Sequence, residues 1–199
     1  MTTLVLWRHS RTGYNAAGRL QGSLDIPLGP EGQEQARRAA GQIVSAYGAH
    51  LRVVSSPLVR ARASALELAK LVSVPVEVQD ALTQRSYGVW EGLTGAEVSR
   101  RWPQEWAAKQ RGEDPSIDGW GKAADVSARV GKALRALAGD ARPTVVVSHG
   151  SAIQLGLLNL LELVPTSRIL GHVPHAAWSV VTQSESGAWH LEHYGLGAP

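Results

Sequence analysis

The chain has no cysteine among its 199 residues, which excludes disulfides, thiolate catalysis and cysteine-ligated zinc. It contains no run of about 18 apolar residues, so it offers no membrane-spanning helix. Its first residues, MTTLVLWRHS, put no basic region ahead of the short apolar run and reach Arg8 at once, which is not how a signal peptide reads. A cytoplasmic location is expected, in keeping with the missing cysteine. Net charge is also scarce, at +3, and the basic residues are scattered rather than gathered into a tail. Nucleic-acid binding therefore has little support, and an anionic small molecule suits the chain better. Repeats and low-complexity tracts are absent: 21 glycines and 10 prolines punctuate the whole length. With 199 residues, 44% hydrophobic and 19% charged, the chain can bury a core, as one large domain spanning 1–199 or as a domain with a small cap.

Four apolar runs read as buried strands: Thr3–Trp7, Leu51–Ser55, Val76–Val78 and Thr144–Ser148. Helical patterns separate them at 31–47, 57–72, 124–138 and 151–163. The first has Pro30 near its start and Gly48 just past its end, the terminal asymmetry of a helix. Alternating strands and helices predict an α/β fold, a three-layer sandwich with a mostly parallel central sheet flanked by helices. Near the C-terminus, AWSVVTQ and AWHLEHY flank SESG as a hairpin would, adding antiparallel edge strands. Between about 93 and 122 the pattern loosens into a partly helical excursion, expected to form a lid or a pocket wall.

Polar residues cluster where the strands end. Arg8 and His9 follow the first strand, Arg60 and Arg62 lie just beyond the second, and His149 with Gly150 follows the TVVVS run. In open α/β sheets ligands bind in the crevice beyond the carboxyl ends of the strands, so the sequence predicts one convergent anion site. That also accounts for a histidine set between Arg8 and Arg11, an arrangement that would otherwise disfavour a protonated ring without helping folding.

At these residues the chain resembles the histidine phosphatase superfamily, the phosphoglycerate mutase-like proteins. The family opens with a strand, then Arg-His-Gly-x-Thr/Ser and Asn, and RHSRTGYN supplies Arg8, His9, Thr12 and Asn15. GRLQGSLDIPLGPEGQEQA matches the segment carrying the substrate-loop residues Gln21 and Gly22. SSPLVRARASA, SYGVWEGLT and VVVSHGSAI match later blocks. The resemblance implies that His9 is a covalent nucleophile. It also implies that Arg8 and Arg60 grip the phosphoryl oxygens. His149 would donate a further hydrogen bond, while Asn15 and the backbone near Gly150 complete the cradle. No cofactor and no metal are implied.

Three stretches depart from the family pattern. Gln84 stands where a catalytic glutamate is usual, and an amide cannot deliver a proton to a leaving alkoxide. Glu91 is the nearest carboxylate along the chain and the alternative acid, yet it matches the glutamate of the WEG block, whose role reads as structural. Ser10 replaces a glycine beside the nucleophile, narrowing the pocket or adding a hydroxyl. Trp120 and Lys122 replace smaller or acidic residues near the expected rim. Elsewhere the plain readings prevail. Arg62 reads as a solvated helix residue and Arg11 as part of the positive rim. Trp102 and Trp106, like Trp120, read as satellite-core residues, with pocket lining as the alternative. Arg100, Arg101, Lys109 and Arg111 read as a solvated face. His172, His175, His190 and His193 lack ligand-pair spacing on a helix face, and no metal site is expected.

The expected function is metal-independent hydrolysis of a small phosphomonoester through a phosphohistidine on His9. The alternatives are a phosphate-ligand binding or regulatory protein, supported by Gln84, and a phosphoglycerate mutase, disfavoured by the short excursion after the YG block. The expected partner is a small phosphorylated substrate, with neither nucleic acid nor membrane; exposed edge strands would permit a homodimer.

Overall fold

A computed structural model describes residues 2–197. Six strands form one sheet: β1 (Thr2–Arg8), β2 (Arg52–Ser55), β3 (Val76–Val78), β4 (Thr144–Ser148), β5 (Trp178–Gln183) and β6 (Trp189–Leu196). Their order is β3-β2-β4-β1-β5-β6. The first four are parallel, whereas β5 runs antiparallel to β1 and β6 antiparallel to β5. The expected α/β architecture is thus observed, with β6 as the antiparallel edge.

Helices cover both faces, as a parallel sheet requires. Successive strand residues point to opposite sides, and β1 shows the consequence directly. Val5 and Trp7 pack with Ile43 of α2 (Pro30–Tyr47) and Leu68 of α3 (Val59–Val72). Leu4 and Leu6 pack with Val130 of α6 (Ala123–Ala136) and Leu157 of α7 (Gly150–Leu160). The helix expected over 151–163 closes earlier, at Leu160, and the chain then turns through Glu162 at φ +58°.

The excursion holds two short helices, α4 (Gly95–Arg101) and α5 (Pro103–Gln110), after the one-turn α1 (Gly13–Ala16) earlier in the chain. Thr94 and Glu97 form a reciprocal capping box that starts α4. Pro103 starts α5 immediately after Trp102. Trp90, fully buried, anchors the excursion: the rings of Trp102, Trp106 and Trp120 surround it at centroid distances of 6.5, 6.0 and 5.3 Å. Trp102 and Trp106 therefore do serve as satellite core, while Trp120 also reaches a cleft described below.

Candidate active site

Three parallel strands deliver the central residues from their carboxyl ends. His9 follows β1 and His149 follows β4, and because those strands are neighbours the two rings stand 5.1 Å apart. Both are buried. His9 Nδ1 lies 2.8 Å from the Ser10 carbonyl, which can only accept, so Nδ1 carries the ring proton and Nε2 keeps its lone pair. Burial, then His149, Arg60, Arg8 and His175, hold His9 well below the usual histidine range; burial, then Arg60 and Arg8, do the same to His149. Both rings are neutral at physiological pH. His149 Nε2 meets the Ser56 hydroxyl at 2.7 Å, and its Nδ1 has no protein partner.

Arg8 is held in a clasp. Its Nη1 donates to His172 Nε2 and to the Val173 carbonyl, both at 2.6 Å, and its Nη2 donates to His175 Nε2 at 2.7 Å. Since guanidinium is never an acceptor, both imidazoles accept and are neutral, with burial first and Arg8 second depressing His172, and His175 to about 3. Three of the five Arg8 N–H groups are thereby used. The remaining Nε–H and one Nη2–H form the side-on fork that suits a phosphate.

Arg60, fully buried near the start of α3, donates from Nη1 to the Leu24 carbonyl (2.6 Å) and from Nη2 to that of Gly22 (2.8 Å), tying the substrate loop to the helix. Burial lowers both arginines to about 10, which leaves them charged at neutral pH. Arg62 is exposed, and Arg11 turns away to pair with Glu31 at 3.2 Å.

The remaining predicted residues support this floor. Thr12 lies 2.9 Å from Gln21 Oε1, 3.0 Å from Asn15 Oδ1, and accepts from the Asn15 N–H, so Asn15 and Gln21 are joined to the nucleophile segment through one hydroxyl. Ser10 is fully buried; its N–H donates to Ser64 Oγ and its own hydroxyl has no protein partner. Gly22 sits at φ +53°, and a Cβ there would meet Glu91 Oε1 at 2.0 Å. A Cβ on Gly150 would come to 3.3 Å from Arg8 Cζ. Glu91 accepts from the backbone of Ser23 (2.8 Å) and Tyr87 (3.0 Å) and from the Ser23 hydroxyl, which makes it a bridge between two loops.

Beside Arg8 opens a cleft of about 520 Å³ whose walls include Gln84, Tyr87, Lys109, Trp120, Gly150 and Arg168. Gln84 accepts the Arg85 N–H through Oε1 at 3.0 Å. Asp114 organises the wall: it pairs with Arg85 and accepts from Trp120 Nε1 (3.0 Å) and the Ala123 N–H (2.9 Å). Lys109 lies over the Trp106 ring at 4.8 Å, so it is a wall residue rather than part of a solvated face, whereas Arg111 pairs outward with Glu113.

His172 and His175 were legible as residues but not as parts of this site. The available signal is topological. They precede β5, and an antiparallel neighbour of β1 must begin where β1 ends, as the Trp7–Trp178 pairing shows.

Four of the seven buried polar side-chain atoms without a protein partner, among the described residues, belong to the floor: Arg8 Nε, Ser10 Oγ, Arg60 Nε and His149 Nδ1. Each unmet group costs about 1–3 kcal/mol, so their concentration marks a polar ligand's seat. No group of three or more His, Asp or Glu among the described residues could hold a metal ion, and no helix there is long and apolar enough to cross a membrane.

Comparison with known proteins agrees with this geometry. The chain is 32% identical over 213 residues to the glucosyl-3-phosphoglycerate phosphatase of Mycobacterium tuberculosis, covering 98% of this chain and 95% of that one. It is 30% identical to the metal-independent phosphoserine phosphatase of Arabidopsis thaliana, covering 98% and 86%. Among solved structures, the mycobacterial glucosyl-3-phosphoglycerate phosphatase complexed with VO3 superposes with a TM-score of 0.90 at 30% identity, over 99% of this chain and 100% of that one. The phosphoserine phosphatase of Entamoeba histolytica, in complex with 3-phosphoglyceric acid, gives 0.85 at 30% identity, over 98% and 96%. The family model of the histidine phosphatase superfamily (branch 1) matches residues 4–196, and the chain belongs to that superfamily.

Proposed function

We propose that the protein hydrolyses a small phosphomonoester in two steps through a phosphohistidine on His9. The observation that carries this reading is the state of His9: neutral, with Nδ1 fixed on the Ser10 carbonyl and the Nε2 lone pair left for attack among two guanidiniums and a second neutral histidine. A nucleophile held in the right tautomer needs no deprotonation before it attacks. The Arg8 fork, Arg60 and His149 Nδ1 would hold the non-bridging oxygens, which suits a reaction dominated by positioning and charge stabilisation. Water then attacks the phosphohistidine and restores the ring. No step requires a metal. The phosphatase names of the relatives over nearly their whole length support the same reaction type.

The residue at position 84 sets the selectivity we expect. Gln84 cannot protonate a leaving oxygen, so esters with a stable leaving anion, such as aryl or acyl phosphates, should outpace alkyl phosphates. Steady-state hydrolysis of a matched aryl and alkyl pair, without added metal, tests this on the wild type and Gln84→Glu. The expected result is faster aryl cleavage by the wild type and a gain on the alkyl ester in the variant. A wild type inert toward both esters that still binds phosphate ligands would sink the hydrolytic reading and favour a binding protein.

A further inference from the structure

We propose that Tyr87, paired with Ser151 on the cleft wall, is the proton donor to the leaving group, a catalytic role that stands in for the carboxyl missing at position 84. The proposal rests on the phosphatase reading above and deepens it.

The placement comes from three contacts and a position along the chain. Tyr87 Oη lies 2.9 Å from Ser151 Oγ, and both residues line the cleft with Arg8, Gln84 and Gly150. Ser151 follows Gly150, where an added Cβ would come to 3.3 Å from Arg8 Cζ, so along the chain the serine is one residue from the predicted phosphate seat. The Tyr87 ring is stacked on Trp120 at 5.4 Å and 28°, and its N–H is fixed by Glu91. A phenol held at ring, backbone and hydroxyl is preorganised rather than free to swing.

Counting protons gives the chemistry. Two hydroxyls bring two protons, and the one hydrogen bond between them uses one, so the pair has a spare donor for a ligand oxygen. If Ser151 donates to Tyr87, the phenolic proton itself faces the cleft. If Tyr87 donates to Ser151, the serine proton faces the cleft and the phenol refills it. Either way the phenol is the net acid.

The step balances as follows. The His9 Nε2–phosphorus bond forms and the bond from phosphorus to the ester oxygen breaks, leaving the electron pair on that oxygen. The oxygen takes the proton of the pair and departs as an alcohol, leaving Tyr87 as phenolate. In the second step water forms the new oxygen–phosphorus bond, the nitrogen–phosphorus bond breaks, and the phenolate takes the proton of water. A phenol is a weaker acid than a carboxyl, so alkyl esters remain slower than aryl esters but are not inert.

Tyr87→Phe keeps the ring against Trp120 and removes only the hydroxyl. With the same matched esters, the ratio of alkyl to aryl kcat is expected to fall about 100-fold, the lower end of what a positioned acid contributes. Adding Gln84→Glu to Tyr87→Phe is expected to restore alkyl cleavage. An equal loss on both esters would assign Tyr87 a packing role and overturn the proposal, as would an unchanged ratio; the phosphatase reading survives in either case because aryl cleavage persists in the wild type. A wild type inert toward both esters overturns the reading and the proposal together.

Discussion

The floor and the wall of the site are built differently. Each floor residue lies at or within a few residues of a parallel strand's end: Arg8 and His9 from β1, Arg60 shortly after β2, His149 from β4. The sheet positions them, and side chains from other elements only tune them. The wall, from Gln84 to Trp120, has no strand of its own. Its shape depends on the ring cluster around Trp90, on Asp114 gathering Arg85, Trp120 and Ala123, and on Glu91 joining two loops. If the floor seats the phosphoryl group as proposed, that seat stays on rigid elements while the surface facing the rest of a substrate rests on replaceable contacts.

That contrast can be broken most sharply at His9. His9→Ala should lower turnover of any ester by about 10⁴-fold or more, because the covalent route is lost, while leaving the fold and binding of inorganic phosphate in place. Kinetics beside a phosphate titration measure both, and loss of phosphate binding would show that the floor is not as independent as argued. The wall should respond the opposite way. Trp90→Ala removes a fully buried ring that touches three others and should cost about 3–5 kcal/mol in chemical denaturation. Its residual aryl phosphatase activity under native conditions should exceed that of His9→Ala; the reverse order would place the wall inside the reaction itself.

The smallest effect concerns the clasp, which joins the two regions. His175 is held neutral in the folded chain, its pKa lowered to about 3 by burial and by Arg8, and protonates in the unfolded chain below about pH 6.5. The unfolded state therefore binds more protons in that window. Stability should fall as pH drops from about 6.5 toward 3, by about 1.4 kcal/mol per pH unit through His175, and should not depend on this group above it. His175→Asn keeps an acceptor for Arg8 and removes one titrating group, so its stability measured at pH 7 and pH 5 should show a shallower slope than the wild type. An equal slope would mean that His175 does not report on the clasp.

Much of the molecule was legible in one dimension because it depends on periodicity and on strand ends. The buried TVVVS run, the Pro30 and Gly48 boundaries of α2 and the hairpin around SESG all follow from local rules, and the strand ends suffice to bring Arg8, His9, Arg60 and His149 to the carboxyl end of one sheet. The tertiary structure alone decided the rest. Whether His172 and His175 are idle or clasp Arg8 depends on a pairing 164 or more residues apart. Whether Glu91 is available for chemistry depends on a loop around Ser23, and whether Tyr87 meets a hydroxyl depends on α7, reached only after β4. Such contacts leave no period in the sequence, because their geometry is fixed by how layers pack rather than by how residues are spaced.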